Sequence, residues 1–200
     1  MIKAIIFDVD GVLINGKRFS DILHHDYGIT QEKTLPFFTG PFQECLVGNA
    51  DLREEIQPYL KEWGWQKTVD DFLWYWFTAE QHIDRELFAY IEVLKSKGIH
   101  VYVASNNEKH RTAYLWNELG FSKVFAEIFS SAHIGHVKHQ LQFFEKMLKK
   151  LPEGVRKDEI LLWDDDMKNI QTAQEFGLQA EFYSGLEQLK KKTEAYLTAR

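Results

Sequence analysis

Ile5-Ile6-Phe7-Asp8-Val9-Asp10-Gly11-Val12 decides how the rest of this chain is read. An apolar run this short, rich in β-branched residues and ending in charge, reads as a buried strand rather than a helix. Side chains two apart on a strand share a face, so Asp8 and Asp10 are predicted to point one way and Phe7 and Val9 the other. Carboxylates crowded at a strand end repel unless they share a cation. Mg²⁺, which takes hard oxygen ligands, is the natural one. Gly11 has no Cβ, so the backbone there can turn tightly and come close to a ligand.

Outward from this run, further strand signals recur at His100–Ala104, Val124–Phe129, Ile160–Trp163 and Gln179–Phe182, with the first strand set at Lys3–Phe7. Helical patterns separate them. Arg85–Lys97 carries Leu87, Ile91 and Leu94 on one stripe and ends in Gly98. Glu108–Leu119 ends in Gly120, Met167–Phe176 ends in Gly177, and Gln140–Lys150 and Leu186–Leu197 complete the set. Strands alternating with helices predict an α/β fold, a doubly wound parallel sheet with helices on both faces. Ligands of such sheets bind beyond the carboxyl ends of the strands, where strand order reverses.

Residues 15–83 break the rhythm. They carry no clear strand, and Asp21–Tyr27, Asp51–Trp63 and Thr68–Glu80 read as helices. The expected organisation is a core of residues 1–14 and 84–200 with a helical cap of residues 15–83, placed over the carboxylate loop it directly follows. Trp63, Trp65, Phe72, Trp74, Tyr75, Trp76 and Phe77 crowd this insert. They read either as its own small core, which needs large side chains to bury enough area, or as a wall of which one or two members face a substrate.

Composition narrows the function. The chain has 200 residues, 44% hydrophobic and 27% charged, as ordinary soluble domains do. A net charge of −6 and no basic stripe argue against nucleic acid as a partner. Cys45 is a single cysteine, which excludes an internal disulfide framework and reads as a small buried filler in a reducing compartment. No apolar stretch is long enough to span a bilayer, and the chain enters its first strand too early for a signal peptide, so a cytoplasmic protein with no membrane partner is expected. Oligomeric state is not encoded in any of these features.

Three more strand ends carry polar residues. Ser105-Asn106-Asn107 follows the second strand and is expected to open a helix, where the serine is either an N-cap or a hydroxyl offered to a phosphate oxygen. Ser130-Ser131 and, further on, Lys138 follow the third; a lone lysine is ordinarily surface charge. Asp164-Asp165-Asp166, with Asn169, follows the fourth; an acidic triplet is ordinarily a solvated turn or a helix N-terminal charge. A carboxylate pair, a hydroxyl, a lysine and a second acidic cluster ending four strands in this order are far more specific together than apart. His133, His136 and His139 are spaced closely enough to suggest Zn²⁺, but no further ligand accompanies them. His24 and His25 read as helix surface.

The order Asp8-Val9-Asp10-Gly11-Val12, Ser105-Asn106, Lys138, then Asp164-Asp165 with Asn169 resembles the four motifs of the haloacid dehalogenase superfamily over nearly the whole chain. The helical insert after the first motif resembles the cap of its subfamily I, and the second and third motifs are most similar to those of sugar-phosphate phosphatases and of the phosphatase-like domain of soluble epoxide hydrolase. The family's lysine is usually followed by proline; here His139 stands there, which predicts a looser backbone.

The resemblance implies a Mg²⁺-dependent phosphatase acting on a small phosphorylated metabolite. Asp8 is then the nucleophile and Asp10 the acid and base, Ser105, Asn106 and Lys138 hold the transferring phosphoryl group, and Asp8, Asp164 and the backbone carbonyl of Asp10 hold the metal. Asp165 supports the metal's water shell or orients Lys138. A phosphomutase of the same fold is the nearest alternative. A dehalogenase shares the aspartate nucleophile but typically lacks an acid equivalent to Asp10. A phospho-acceptor receiver domain is smaller and uncapped, and a non-catalytic phosphate-binding protein has no need of all four strand ends.

Overall fold

In the computed structural model, which describes residues 1–198, five strands form one parallel sheet in the order β3-β2-β1-β4-β5. They are β1 (Ala4–Phe7), β2 (His100–Ser105), β3 (Ile128–Ser130), β4 (Ile160–Asp164) and β5 (Gln179–Phe182). Residues 199 and 200 of the expected core range lie outside the described residues. Each central strand is buried on both faces, which is why it reads as a continuous apolar run. Ile5 and Phe7, Val101 and Val103, and Leu161 and Trp163 point into one cluster, with Leu87, Ile91 and Leu94 of helix α6 (Arg85–Ser96). Ala4 and Ile6, Tyr102 and Ala104, and Ile160 and Leu162 point into the other. That second cluster includes Phe143, Phe144 and Met147 of α9 (Leu141–Leu148) and Ile170 and Ala173 of α10 (Met167–Phe176). Full burial of each such side chain is worth about 1.5–3 kcal/mol.

Residues 19–79 form five helices: α1 (Phe19–Tyr27), α2 (Gln31–Thr39), α3 (Pro41–Leu46), α4 (Leu52–Trp63) and α5 (Val69–Ala79). They enclose a third cluster of their own, in which Phe37, Phe72, Trp63, Trp65, Trp76 and Phe77 are buried. Cys45 is 1% exposed within it, a filler as its sequence context suggests. Two helices escape a reading by pattern. In α2 the interior Pro36 removes an amide donor and ordinarily breaks a helix, while α3 is short and opens on Pro41, a position proline suits. The chain leaves and re-enters the sheet layer at one place, because Ile14 bridges Ile83 antiparallel and the Asn15 amide donates to the His82 carbonyl at 2.9 Å.

Three differences from the sequence expectation lie near the strand ends. The apolar stretch expected as a strand from Val124 pairs as β3 only over Ile128–Ser130, because Phe121 and Phe125 turn inward to fill the first cluster. The helix expected from Glu108 is α7 (Lys109–Ala113) followed by a π-helical turn, Tyr114–Glu118. β1 stops at Phe7, so Asp8 and Asp10 lie beyond the pleat, in a turn where the Leu13 and Ile14 amides both donate to the Val9 carbonyl at 2.9 Å. Among the described residues no helix is long and apolar enough to cross a membrane.

Candidate active site

Strand register assembles the site. Phe7 pairs with Val103 on one side and Trp163 on the other, so the next residues, Asp8 and Asp164, end adjacent parallel strands side by side. These are also the strands at which the sheet order reverses, the expected place for a ligand. A cavity of about 570 Å³ opens there, and Asp8, Asp10, Ser105, Asn106, Lys138, Asp165 and Asn169 all line it.

Lys138 is the electrostatic centre. Its side chain is 2% exposed, and its ammonium donates to Asp8 Oδ1 at 2.6 Å and to Asp164 Oδ2 at 2.7 Å. Burial alone would push this ammonium's pKa down; the two carboxylates outweigh it and hold the pKa above the ordinary lysine value. Burial raises the Asp8 carboxyl well above its usual range, Lys138 opposes that rise, and Asp164 adds to it. Asp165 is raised for the same first reason, with Asp164 adding to the effect. His139 stands beside this lysine in place of the usual proline. The Lys138 amide donates to Asn106 Oδ1 at 2.8 Å, which clamps the backbone from the β2 side.

The acidic triplet separates into three fates. Asp164 is fully buried and accepts from the Asp166 amide at 2.9 Å and from Asn169 Nδ2 at 3.0 Å. Asp165 faces the cavity, and Asp166 caps α10 by accepting from the Lys168 amide at 2.8 Å. Oxygens of Asp8, Asp164 and Asp165 lie within 4.8 Å of one another, the converging group of potential metal ligands among the described residues. Three carboxylates with no nitrogen or sulfur donor make a hard-oxygen set that fits Mg²⁺. His133 accepts or donates at Ser130 Oγ (3.0 Å) and His136 at Gln140 Oε1 (3.1 Å), so these histidines do not converge as a zinc set.

Two expectations change. Ser105 is not an N-cap: it is the last residue of β2, and its hydroxyl accepts from Asn107 Nδ2, while Glu108 caps α7 through the His110 and Arg111 amides. The Asp8 and Asp10 carboxylates do not converge. Asp10 turns away from the Lys138 cluster, and its Oδ1 accepts from Arg111 Nη2 at 2.6 Å. The Asp10 carboxylate is therefore outside the converging metal set, which leaves only its backbone carbonyl for that duty.

The insert closes one side of the cavity with Phe42, Trp76 and Glu80. Of the aromatic group singled out in the sequence, Trp76 faces the cavity, whereas Trp63, Trp65 and Phe72 are core and Trp74 is exposed. Arg111, Glu80, Asn107 and Phe42 were not legible as site residues. Arg111 and Glu80 look like ordinary helix charges, and only the fold reveals them as partly buried partners 31 positions apart.

A doubly wound α/β protein with a buried lysine bridging two strand-end aspartates, and a further acidic residue beside them, is what fold and site together define. The chain belongs to the haloacid dehalogenase-like hydrolase family, whose model matches residues 2–177. It is similar to a HAD-like family hydrolase of Porphyromonas gingivalis, at 22% identity and a TM-score of 0.79, with 100% of both chains covered. It is also similar to an alanine variant of a HAD-family enzyme of Bacteroides thetaiotaomicron in complex with magnesium and inorganic phosphate, at 19% identity and a TM-score of 0.73, covering 93% of this chain and 96% of that one. An L-2-haloacid dehalogenase of Xanthobacter autotrophicus with chloropropionic acid covalently bound is similar at 20% identity and a TM-score of 0.66, covering 100% of this chain and 85% of that one. At these identities the likeness is one of fold. A drimenol cyclase of Aspergillus calidoustus, DrtB, is 24% identical over 113 residues, which are 55% of this chain but 21% of that protein. The chain thus spans about a fifth of the length of this curated relative.

Proposed function

We propose that this protein is a Mg²⁺-dependent phosphatase that hydrolyses a small phosphomonoester, such as a sugar phosphate, through an aspartyl-phosphate intermediate. The observation that carries the reading is the presence of a second carboxylate, Asp10, on the wall of the cavity whose floor holds Asp8 and Lys138. In a dehalogenase the halide departs without a proton, whereas the alkoxide that leaves a phosphomonoester needs one, which calls for a separate acid.

In this reading Asp8 attacks phosphorus, and the ester oxygen departs with a proton from Asp10. Asp10 then takes a proton from the water that attacks the phosphoryl group and frees Asp8. Lys138 and the Ser105 hydroxyl, with Asn106 Nδ2, stabilise charge on the equatorial oxygens. Asn106 has a second duty, since its Oδ1 holds the Lys138 backbone. Asp8, Asp164 and the Asp10 carbonyl would hold Mg²⁺, with Asp165 supporting its water shell; the ion supplies charge neutralisation at the phosphoryl oxygens.

Residues 15–83 serve as the cap. Trp76 and Phe42 line the cavity on the insert side, and the paired linkers at Ile14 and Ile83 are the natural place for the insert to swing. The lone buried Cys45 suits a cytoplasmic setting.

The test is phosphate release from a panel of phosphomonoesters with Mg²⁺, with EDTA, and with Asp8→Asn. Release that requires the metal and Asp8 supports the proposal. Turnover of 2-haloacids without phosphatase activity would replace it with the dehalogenase reading.

A further inference from the structure

We propose that Arg111 is a positioning residue that fixes the Asp10 carboxylate for proton transfer and ties it to Glu80 of the insert, an inference that rests on the phosphatase reading above. The Asp10 side chain is 55% exposed on a loop, and without a partner it would sample several rotamers. Arg111 removes that freedom: Nη2 donates to Asp10 Oδ1 at 2.6 Å and Nη1 to Glu80 Oε2. Asn107 Nδ2 approaches the other Asp10 oxygen at 3.4 Å. The Arg111 side chain is only 5% exposed, and a charge that deep is tolerated because both carboxylates meet it. Burial would lower its pKa, but Asp10 and Glu80 more than reverse that.

The guanidinium is planar and its donors keep a fixed angle, so the position of one carboxylate constrains the other. Glu80 is itself held. Its Oε1 accepts from the Phe19 amide at 3.2 Å and its Oε2 from Trp76 Nε1 at 3.0 Å. Trp76 lines the cavity. One continuous polar chain, Trp76 to Glu80 to Arg111 to Asp10, therefore joins the cavity wall on the insert to the group that moves the proton on the core. Lys138 is committed to Asp8 and Asp164, and among the described residues Arg111 alone pairs ionically with Asp10.

A mere strut between insert and core would affect every substrate alike, whereas a positioning residue for proton transfer matters most where the leaving oxygen needs a proton. Full-length Arg111→Met, Arg111→Lys and Glu80→Gln are compared with wild type on an alkyl phosphate and an aryl phosphate, with Mg²⁺. General acid–base assistance is worth about 10²–10⁴-fold, so losing its orientation should lower kcat on the alkyl ester by roughly 10–10²-fold with little change in KM. The loss on the aryl ester should be several-fold smaller. Arg111→Lys, which keeps a charge without the fork, should recover part of the activity, and Glu80→Gln should show the same substrate dependence on a smaller scale. Adding Arg111→Met to Asp10→Asn should cost nothing further, since both act through one group. Equal losses on both esters, or losses that multiply in the double variant, would overturn the inference. If Arg111→Met does not fold, Glu80→Gln carries the same comparison. A crystal structure of the folded variants provides a readout independent of turnover: Asp10 should leave its observed position in Arg111→Met or shift with Arg111 in Glu80→Gln, and an unmoved Asp10 refutes positioning. Should wild type hydrolyse no phosphomonoester, the phosphatase reading falls on that result alone, and the Asp10 displacement still decides whether Arg111 holds it.

Discussion

Gly11 and Asp165 meet so closely that a Cβ on Gly11 would lie 2.0 Å from Asp165 Oδ2. The loop after β1 and the loop after β4 thus touch through a glycine backbone in the left-handed region, at φ +85°. Asp165 is one of the three converging carboxylates, so the glycine sets where a cavity-facing acid can stand.

Gly11→Ala should therefore do two kinds of damage. The left-handed conformation costs a residue with a Cβ roughly 1–2 kcal/mol, about 2–8 °C in melting temperature for a chain this size. The Asp165 carboxylate must also move, so Mg²⁺ affinity and activity should both fall. Thermal melts and a Mg²⁺ titration check this; a variant that matches wild type in both would show that the contact is unimportant.

Lys138→Met leaves Asp8 and Asp164 buried side by side with no cation between them. Removing one partner from a buried ion pair typically costs about 3–5 kcal/mol, and that loss should appear in urea unfolding without metal. Saturating Mg²⁺ should restore part of the stability but not the activity, because the ammonium also has a duty on the phosphoryl oxygens. Unfolding unchanged from wild type without metal would mean that the carboxylates are not charged together.

Mg²⁺ should stabilise the folded wild type by mass action, about 2.7 kcal/mol at a hundred times its Kd. Differential scanning fluorimetry should show a melting point rising with Mg²⁺ and returning with EDTA. Asp164→Ala should abolish the shift, since Asp164 is the most buried of the converging acids. A shift that survives Asp164→Ala would place the ion elsewhere.

Much of this architecture is legible in the sequence for a simple physical reason. Strands buried on both faces must be apolar throughout, and a polar residue ending such a run stands out, as Asp8, Ser105 and Asp164 do. What escaped reading depends on partners distant in sequence. Arg111 and Glu80 have the appearance of solvated helix charges, and nothing local says that both reach the active cavity beside Asp10. α2 escaped because Pro36 forbids it by propensity, while Phe37 rewards it by packing in the insert core. The paired orientation predicted for Asp8 and Asp10 requires a strand that continues past Phe7, whereas the chain turns at Val9.

Cys45 should be chemically silent in the native protein. Burial, with Glu108, Glu55 and Asp51 adding negative potential, raises its thiol pKa to about 12. At pH 8 the thiolate fraction is then on the order of one in 10⁴, and the sulfur is enclosed as well. Iodoacetamide labelling followed by mass should be negligible without denaturant and complete in urea. Rapid native labelling would show that α3 opens locally.

The last prediction separates the two acids of the first loop. Asp8→Asn keeps the shape of the side chain but replaces a strong nucleophile with an amide, so acid-quenched protein should carry no phosphoryl group and turnover should be lost on every substrate. Asp10→Asn leaves Asp8 with its Lys138 partner and removes the proton donor and later base. Loss of acid–base assistance slows hydrolysis by about 10²–10⁴-fold for alkyl esters. An aryl oxide leaves without a proton, so its departure should be slowed less, but the water that follows still needs a base. Phosphoenzyme should then accumulate on aryl phosphate in Asp10→Asn, visible as a burst of aryl alcohol equal to the enzyme present. Asp10→Asn turning over alkyl and aryl esters at the wild-type rate would remove Asp10 from the chemistry and return its pairing with Arg111 to a structural role.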